Sequence, residues 1–401
     1  MDYLYEAKML IIGSGGVGKT SLRTKLIDIS APLPREEATT RGIEIEQLTI
    51  HAAEDRELTV NIWDFGGQEI YHTTHQFFLT NRSLYFLVDD TRSSDTSIND
   101  GDFRYWLQTI ELLGGNSPLL IVQNKKGGRS KEIDLTGLQA RFPFVKDKYA
   151  TDLLTCSDLD ALEAGIAQYI QQLPHIGQAL PTQWLKIREQ LLLLAKERAY
   201  LSLEAYLELC RKAQIVDRYK ALSLSSYLND LGTFLHFRDA ALLRKTVFLQ
   251  NAWVTKAVYC ILDDEVIRRR YGRFEKAEAS RIWSDPSYLE MQEELLALLV
   301  KVELCYELDQ QPGHYLIPQL LPGSRPADYH WETAQNLQLR YRYDFMPKGL
   351  LSRLMVRLHH YIVDEARAWK SGVNFEREGD TWAEVVETYA KNDIAIRVRG
   401  R

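Results

Sequence analysis

Short apolar runs alternate with polar, amphipathic stretches through the first part of the chain. Residues 7–12 (AKMLII), 83–89 (SLYFLVD) and 118–123 (PLLIVQ) are too short for buried helices and read as buried strands. Residues 43–51 (IEIEQLTIH) and 58–63 (LTVNIW) have strand character too. Residues 21–29, 103–113 and 159–173 space their apolar positions as amphipathic helices do. Strands alternating with helices predict an α/β unit with a mostly parallel sheet and its ligand-binding loops at the strand ends.

The pattern changes after a proline- and glycine-marked linker at 174–181 (PHIGQALP). Residues 202–213 and 222–231 have helical periodicity. Residues 234–237 (FLHF) and 246–250 (TVFLQ) read as a hairpin across a charged turn, followed by a helix from Asn251. Helix, helix, hairpin is a winged-helix arrangement. A further boundary lies at 322–326 (PGSRP), followed by a strand at 337–343 and a helix at 349–367. Edge-like strands at 372–376 and 383–389 then lead to a last one at 392–399 (NDIAIRVR). The expected domains are therefore 1–176, 182–321 and 327–401, the last a small α+β unit. A chain that stops on a strand with no capping element predicts a piece of a longer protein and an incomplete final unit.

Composition narrows the function classes. The 401 residues are 45% apolar and 26% charged, as in ordinary globular proteins. The formal charge of −6 divides into about −8 for residues 1–180 and about +2 for the rest. That balance argues against a general nucleic-acid binder. So does 222–231 (LSLSSYLNDL), which would be the recognition helix of a winged helix yet has no lysine or arginine. The basic cluster Arg268, Arg269, Arg270 and Arg273 reads as a solvated helix face or as a contact to the acidic first domain. No apolar stretch is long enough to span a membrane, and no signal peptide precedes the first strand. Four scattered cysteines, with no C-x-x-C pair, read as reduced thiols of a cytoplasmic protein.

The strongest local signal is residues 13–20 (GSGGVGKT), which matches G-x-x-x-x-G-K-[S/T] between a predicted strand and a predicted helix. Such a loop turns successive backbone N–H groups toward a phosphate, and the helix start adds its positive dipole end. Gly13, Gly15, Gly16, Val17, Gly18, Lys19, Thr20 and Ser21 are thus candidate phosphate-binding residues. Lys19 would reach the β- and γ-phosphates, and the Thr20 hydroxyl would ligate Mg²⁺. After the strand 58–63 comes 64–69 (DFGGQE). There Asp64 is placed to hold Mg²⁺ through water and Gly67 to offer its N–H to a γ-phosphate. Asn124 and Lys125 end the strand 118–123 and are the candidate base-binding pair.

This loop order is that of Ras-like GTPases. The stretches 40–43 (TRGI), 63–79 (WDFGGQEIYHTTHQFFL) and 83–89 (SLYFLVD) resemble the Roc GTPase domain of Roco proteins. Residues 182–401 resemble the COR domain that follows Roc, through 180–184 (LPTQW), 227–232 (YLNDLG), 253–255 (WVT) and 343–347 (YDFMP). The resemblance implies a GTP/GDP-binding switch that hydrolyses GTP slowly, with Mg²⁺ as cofactor and COR as a homodimerisation device linked to nucleotide state. It implies that Thr40, with Thr20 and Asp64, contacts the metal and that Gln68 orients the attacking water. Arg92 matches an arginine that acts across a dimer in bacterial relatives, and Arg41 is its rival. His72 and His75 lie in the same long stretch and read as packing residues.

One departure stands out. Where guanine-reading proteins carry N-K-x-D, this chain has Asn124-Lys125-Lys126-Gly127. Gly127 cannot accept hydrogen bonds from the guanine N1–H and 2-amino group. Another acid must do so, with Asp134 the nearest downstream, or guanine selectivity falls. A further base-contacting loop is expected near 155–157 (TCS). The alternatives to a hydrolysing switch are a dimerising nucleotide-binding scaffold with little turnover, and an ATP-preferring P-loop protein.

Overall fold

The computed structural model describes residues 2–34, 40, 42–52, 56–67, 78–90, 101–125, 132–327, 329–331, 336–362, 367–377 and 381–400. Two compact units result, one ending at Lys256 and the other beginning at Ala257.

In the first unit, the N-terminal strand β1 (Asp2–Leu4) precedes β2 (Glu6–Ile12), β3 (Ile43–Ala52) and β4 (Arg56–Phe65). These are followed by β5 (Ser83–Asp90), β6 (Leu119–Asn124) and β7 (Val145–Thr151). Among the described residues, six of these form one sheet in the order β3-β4-β2-β5-β6-β7, parallel except for the β3–β4 pair. β2, β5 and β6 are buried along their whole length, so they carry continuous apolar runs rather than alternation. Helices Lys19–Ile27, Gly101–Leu113 and Leu159–Gln171 fall where the periodicity predicts them. Helices Lys19–Ile27 and Leu159–Gln171 pack Leu22, Leu26, Leu162 and Ile166 against sheet residues such as Met9, Ile62 and Phe86. β1 pairs antiparallel with β8 (Gln178–Leu180), which brings the chain start beside the predicted linker.

The next stretch has its own core, built on Ile187, Leu191, Tyr206, Leu224, Leu228, Phe234 and Val247. Its helices are Thr182–Ala195, Leu203–Lys212 and Arg218–Asp230. The last starts four residues earlier than periodicity implied, because Asp217 caps it by accepting from Tyr219 N–H. It therefore carries Arg218 and Lys220 in its first turn. The expected hairpin is largely absent. Leu235 and Phe248 form one isolated bridge, and β10 (Thr246–Phe248) pairs instead with β9 (Tyr200–Ser202). The His236 ring bonds Ser225 and the Arg244 carbonyl, which draws the chain away from the sheet after one pair.

The second unit contains a small sheet of β11 (Arg273–Glu275), β12 (Tyr306–Glu307) and β13 (His314–Leu316). A larger one has five strands among the described residues: β14 (Leu337–Arg342), β15 (Ala368–Trp369), β16 (Gly372–Arg377), β17 (Thr381–Thr388) and β18 (Asp393–Arg399). Its order is β14-β18-β17-β16-β15. The strands expected at the edges, β16 and β17, are thus interior, and so is β18. The expected helix over 349–367 spans only Leu350–Arg357. A 3₁₀ turn, His359–Tyr361, ends it, and Ile362 bridges Phe375, pulling the chain onto the sheet. The arginine cluster pairs locally: Arg268 with Asp263, Arg269 with Glu265, Arg270 with Glu278. It is a solvated face with its own counter-charges.

Candidate nucleotide site

The loop between β2 and the helix Lys19–Ile27 lies at the C-terminal end of a central parallel strand, where such sheets bind ligands. Its glycines are required by geometry at two points. Gly18 has φ +101°, and a Cβ there would lie 2.3 Å from Asn124 Nδ2; Gly13 has φ +140° with Val88 O at 2.4 Å. The Asn124 amide donates to Val17 O at 3.1 Å, so the base-binding loop is pinned to the phosphate loop. Lys19 is buried, its Nζ bonded to Gly13 O at 2.9 Å and Ser14 O at 2.6 Å. Burial lowers its pKa to about 8, only partly opposed by Asp64. An ammonium held among carbonyls with so little water is one that an anionic ligand would stabilise.

Thr20, Thr40 and Asp64 come from three separate segments and converge. Thr20 Oγ1 lies 2.6 Å from Thr40 Oγ1 and donates to Asp64 Oδ2 at 2.8 Å, and Thr40 reaches the same oxygen at 3.4 Å. Asp64 is fully buried, and its Oδ1 has no hydrogen-bond partner among the described residues. Burial raises its pKa to about 6, against the pull of Arg23, the Thr20 bond and Lys19. Two hydroxyls and a carboxylate form an all-oxygen donor set, and the unpartnered oxygen leaves room for a counter-charge. This suits a hard divalent cation such as Mg²⁺. Gly67 closes the other side: a Cβ on it would lie 2.5 Å from Gly15 Cα and 2.7 Å from Lys19 Nζ. Only glycine can bring its backbone so near the phosphate loop.

Of the other predicted residues, Arg41, Gln68, His72, His75, Arg92 and Gly127 lie outside the described residues. Asp134, the expected substitute for the missing carboxylate, is the N-cap of the helix Leu135–Arg141 and accepts from Gly137 N–H. The chain on either side of 155–157 touches the base-binding pair: Lys125 N–H donates to Thr151 O, and Lys125 Nζ pairs with Asp158 at 2.9 Å. Two residues escaped the sequence reading. Arg23 is buried, paired with Glu44 and 3.7 Å from Asp64; at helical spacing it looks like any surface arginine. Asp158 follows a loop with no recognisable spelling. An open groove of about 1160 Å³ lies elsewhere, beside the helix Arg218–Asp230, lined by Arg218, Arg238 and Arg244 but also Glu204, Asp230 and Asp239. Its charges largely compensate one another, whereas the phosphate loop has closed on Lys19.

Loops so placed on a parallel sheet with one antiparallel edge are those of a Ras-like P-loop GTPase domain. Comparison with known proteins gives the family. Residues 8–127 match the description "Ras of Complex, Roc, domain of DAPkinase". Residues 181–321 match "C-terminal of Roc, COR-A domain" and 334–401 the COR-B domain. A Roc-COR-CHAT protease of Runella zeae is 30% identical over the whole chain, which spans 44% of that relative. The probable serine/threonine-protein kinase pats1 of Dictyostelium discoideum is 26% identical, and the chain spans 14% of it. The GDP-bound structure of Methanosarcina barkeri Roco2 RocCORdC superposes with a TM-score of 0.67 at 31% identity, covering 80% of this chain and 97% of that one. The chain belongs to the Roco family, a Roc GTPase domain followed by COR, and spans less than half of the curated relatives named here. No helix among the described residues is long and apolar enough to cross a membrane.

Proposed function

We propose that this chain binds GTP and GDP and hydrolyses GTP slowly, as a switch whose COR part couples dimerisation to nucleotide state. The observation that carries this reading is the meeting of Thr20, Thr40 and Asp64 next to a buried Lys19. Lys19 takes the β- and γ-phosphates, and Gly67 N–H faces the γ-phosphate. Thr20, Thr40 and Asp64 would hold Mg²⁺, which would supply charge neutralisation at the phosphates. Asn124 and Lys125 pack on the base. Gln68 orients the attacking water, and Arg92 neutralises transition-state charge, from its own site or from the partner of a homodimer. The four cysteines, none of them in a disulfide, fit a reducing, cytoplasmic setting. Further domains of a longer chain would receive the signal.

The glycine at 127 favours a second reading, a dimerising nucleotide-binding scaffold with little turnover. Lys19→Ala is expected to abolish nucleotide binding while the far-ultraviolet circular dichroism stays unchanged. Undiminished GDP binding in that variant would remove the site assignment. Single-turnover GTP hydrolysis by the unmodified chain then separates switch from scaffold: no phosphate release above the buffer rate leaves only the scaffold.

A further inference from the structure

The carboxylate that guanine recognition needs is absent from the loop after Asn124-Lys125, where residues 127 and 128 are both glycine. Nearby acids are already engaged. Asp134 caps a helix through Gly137 N–H. Asp152 accepts from Leu154 and Thr155 N–H. Asp28 accepts from Ser30.

Asp158 differs. It occupies the N-cap of the helix Leu159–Gln171, where an aspartate ordinarily accepts from the first-turn N–H groups, yet it makes no such bond. Its backbone is left-handed, φ +62°, a conformation that costs a non-glycine residue stability. Its carboxylate reaches Lys125 Nζ instead, at 2.9 Å, and the side chain is 60% exposed. A residue that gives up its cap and bears backbone strain to stand beside the base-binding lysine is placed for a ligand rather than for the helix.

We infer that Asp158 is the guanine-reading carboxylate of this chain, supplied by the loop after β7 in place of the one missing at 127. This rests on the nucleotide-site reading above. The Lys125 pair holds the carboxylate beside the base-binding residues, where it accepts from guanine N1–H and the 2-amino group. Adenine has neither donor in that pattern. Xanthine carries a carbonyl oxygen where guanine carries the amine, so an ionised carboxylate repels it and an amide does not.

The test measures equilibrium binding of GDP, XDP and ADP to the whole chain and to two variants, Asp158→Asn and Asp158→Gly. Both tolerate the left-handed backbone. Glycine removes the carboxylate without strain. We expect Asp158→Gly to weaken GDP about 10- to 100-fold, the effect of losing one or two bonds to an ionised group, and to leave ADP nearly unchanged. Asp158→Asn should lower the GDP-over-XDP preference by at least a similar factor. If GDP, XDP and ADP all weaken by one common factor, or not at all, Asp158 only steadies the loop and the assignment is wrong. If the unmodified chain binds all three with equal affinity, guanine reading is overturned while the phosphate site stands. If it binds none, or if Lys19→Ala binds as well as the unmodified chain, the nucleotide site itself is overturned, and this inference with it.

Discussion

His175 shows how far burial alone sets the behaviour of a single residue in this fold. It is 1% exposed, and its Nε2 lies 3.1 Å from the Glu6 carbonyl, which can only accept, so the neutral ring keeps its proton there. Burial lowers its pKa to about 4; the Glu6 bond opposes this and nearby Arg82 adds to it. The unfolded chain therefore protonates first as pH falls through 6.5, and folding stability is lost progressively down to about pH 4. The loss is at most about 3 kcal/mol. Asp64, with its pKa raised to about 6, acts in the opposite direction, so the wild-type slope is a difference. Subtracting the profile of His175→Gln isolates the histidine. Urea midpoints that fall equally in both proteins between pH 6.5 and 4 would contradict this. At the same scale, the meeting of Lys19, Thr20 and Asp64 was legible because the phosphate-loop motif ties residue types to fixed spacing. Asp158 was not: its pairing with Lys125 spans 33 positions, which no local pattern encodes.

Elements were legible where their burial leaves a one-dimensional mark. Strands β2, β5 and β6 are buried on both faces and spell themselves as apolar runs. The larger errors came where tertiary pairing decides. Residues 349–367 keep a helical pattern, but Ile362 is taken by Phe375 and the helix stops. β16, β17 and β18 alternate like half-buried edges, yet each has a neighbour on both sides, a matter of partner choice that alternation cannot show. One junction between elements can be tested directly. Gly232, just past the helix Arg218–Asp230, has φ +70°, and a Cβ there would meet Lys8 Cδ at 3.2 Å and Trp63 Cζ2 at 3.3 Å. Lys8 itself lies 3.9 Å from the Trp63 ring and donates to Phe78 O. Gly232→Ala should therefore cost about 1–2 kcal/mol, for the left-handed alanine and the crowding together. An unfolding free energy within a few tenths of wild type would show that the junction is looser than these distances imply.

At the scale of the molecule, the sequence pattern suggested a divide near the 174–181 linker, whereas the first compact unit runs on through Lys256. One link between Roc and the start of COR is a polar chain through the sheet. Gln47 donates to Asn61 at 2.9 Å, and Asn61 donates to Glu6 at 2.7 Å. Arg188, from the helix Thr182–Ala195, pairs with the same Glu6 carboxylate, which is 1% exposed. Removing one partner of such a pair leaves a buried charge uncompensated, whereas replacing both is far less costly. Arg188→Met should therefore destabilise the chain by about 3 kcal/mol, and Glu6→Gln with Arg188→Met should recover most of that. Because β2 leads from Glu6 directly into the phosphate loop, the single variant should also release GDP faster, and the double variant should bring the rate back toward wild type. Urea unfolding of the four proteins in a double-mutant cycle measures the coupling. Strictly additive effects would mean that Glu6 does not need Arg188. Roc and the first helix of COR would then share a unit without sharing this charge.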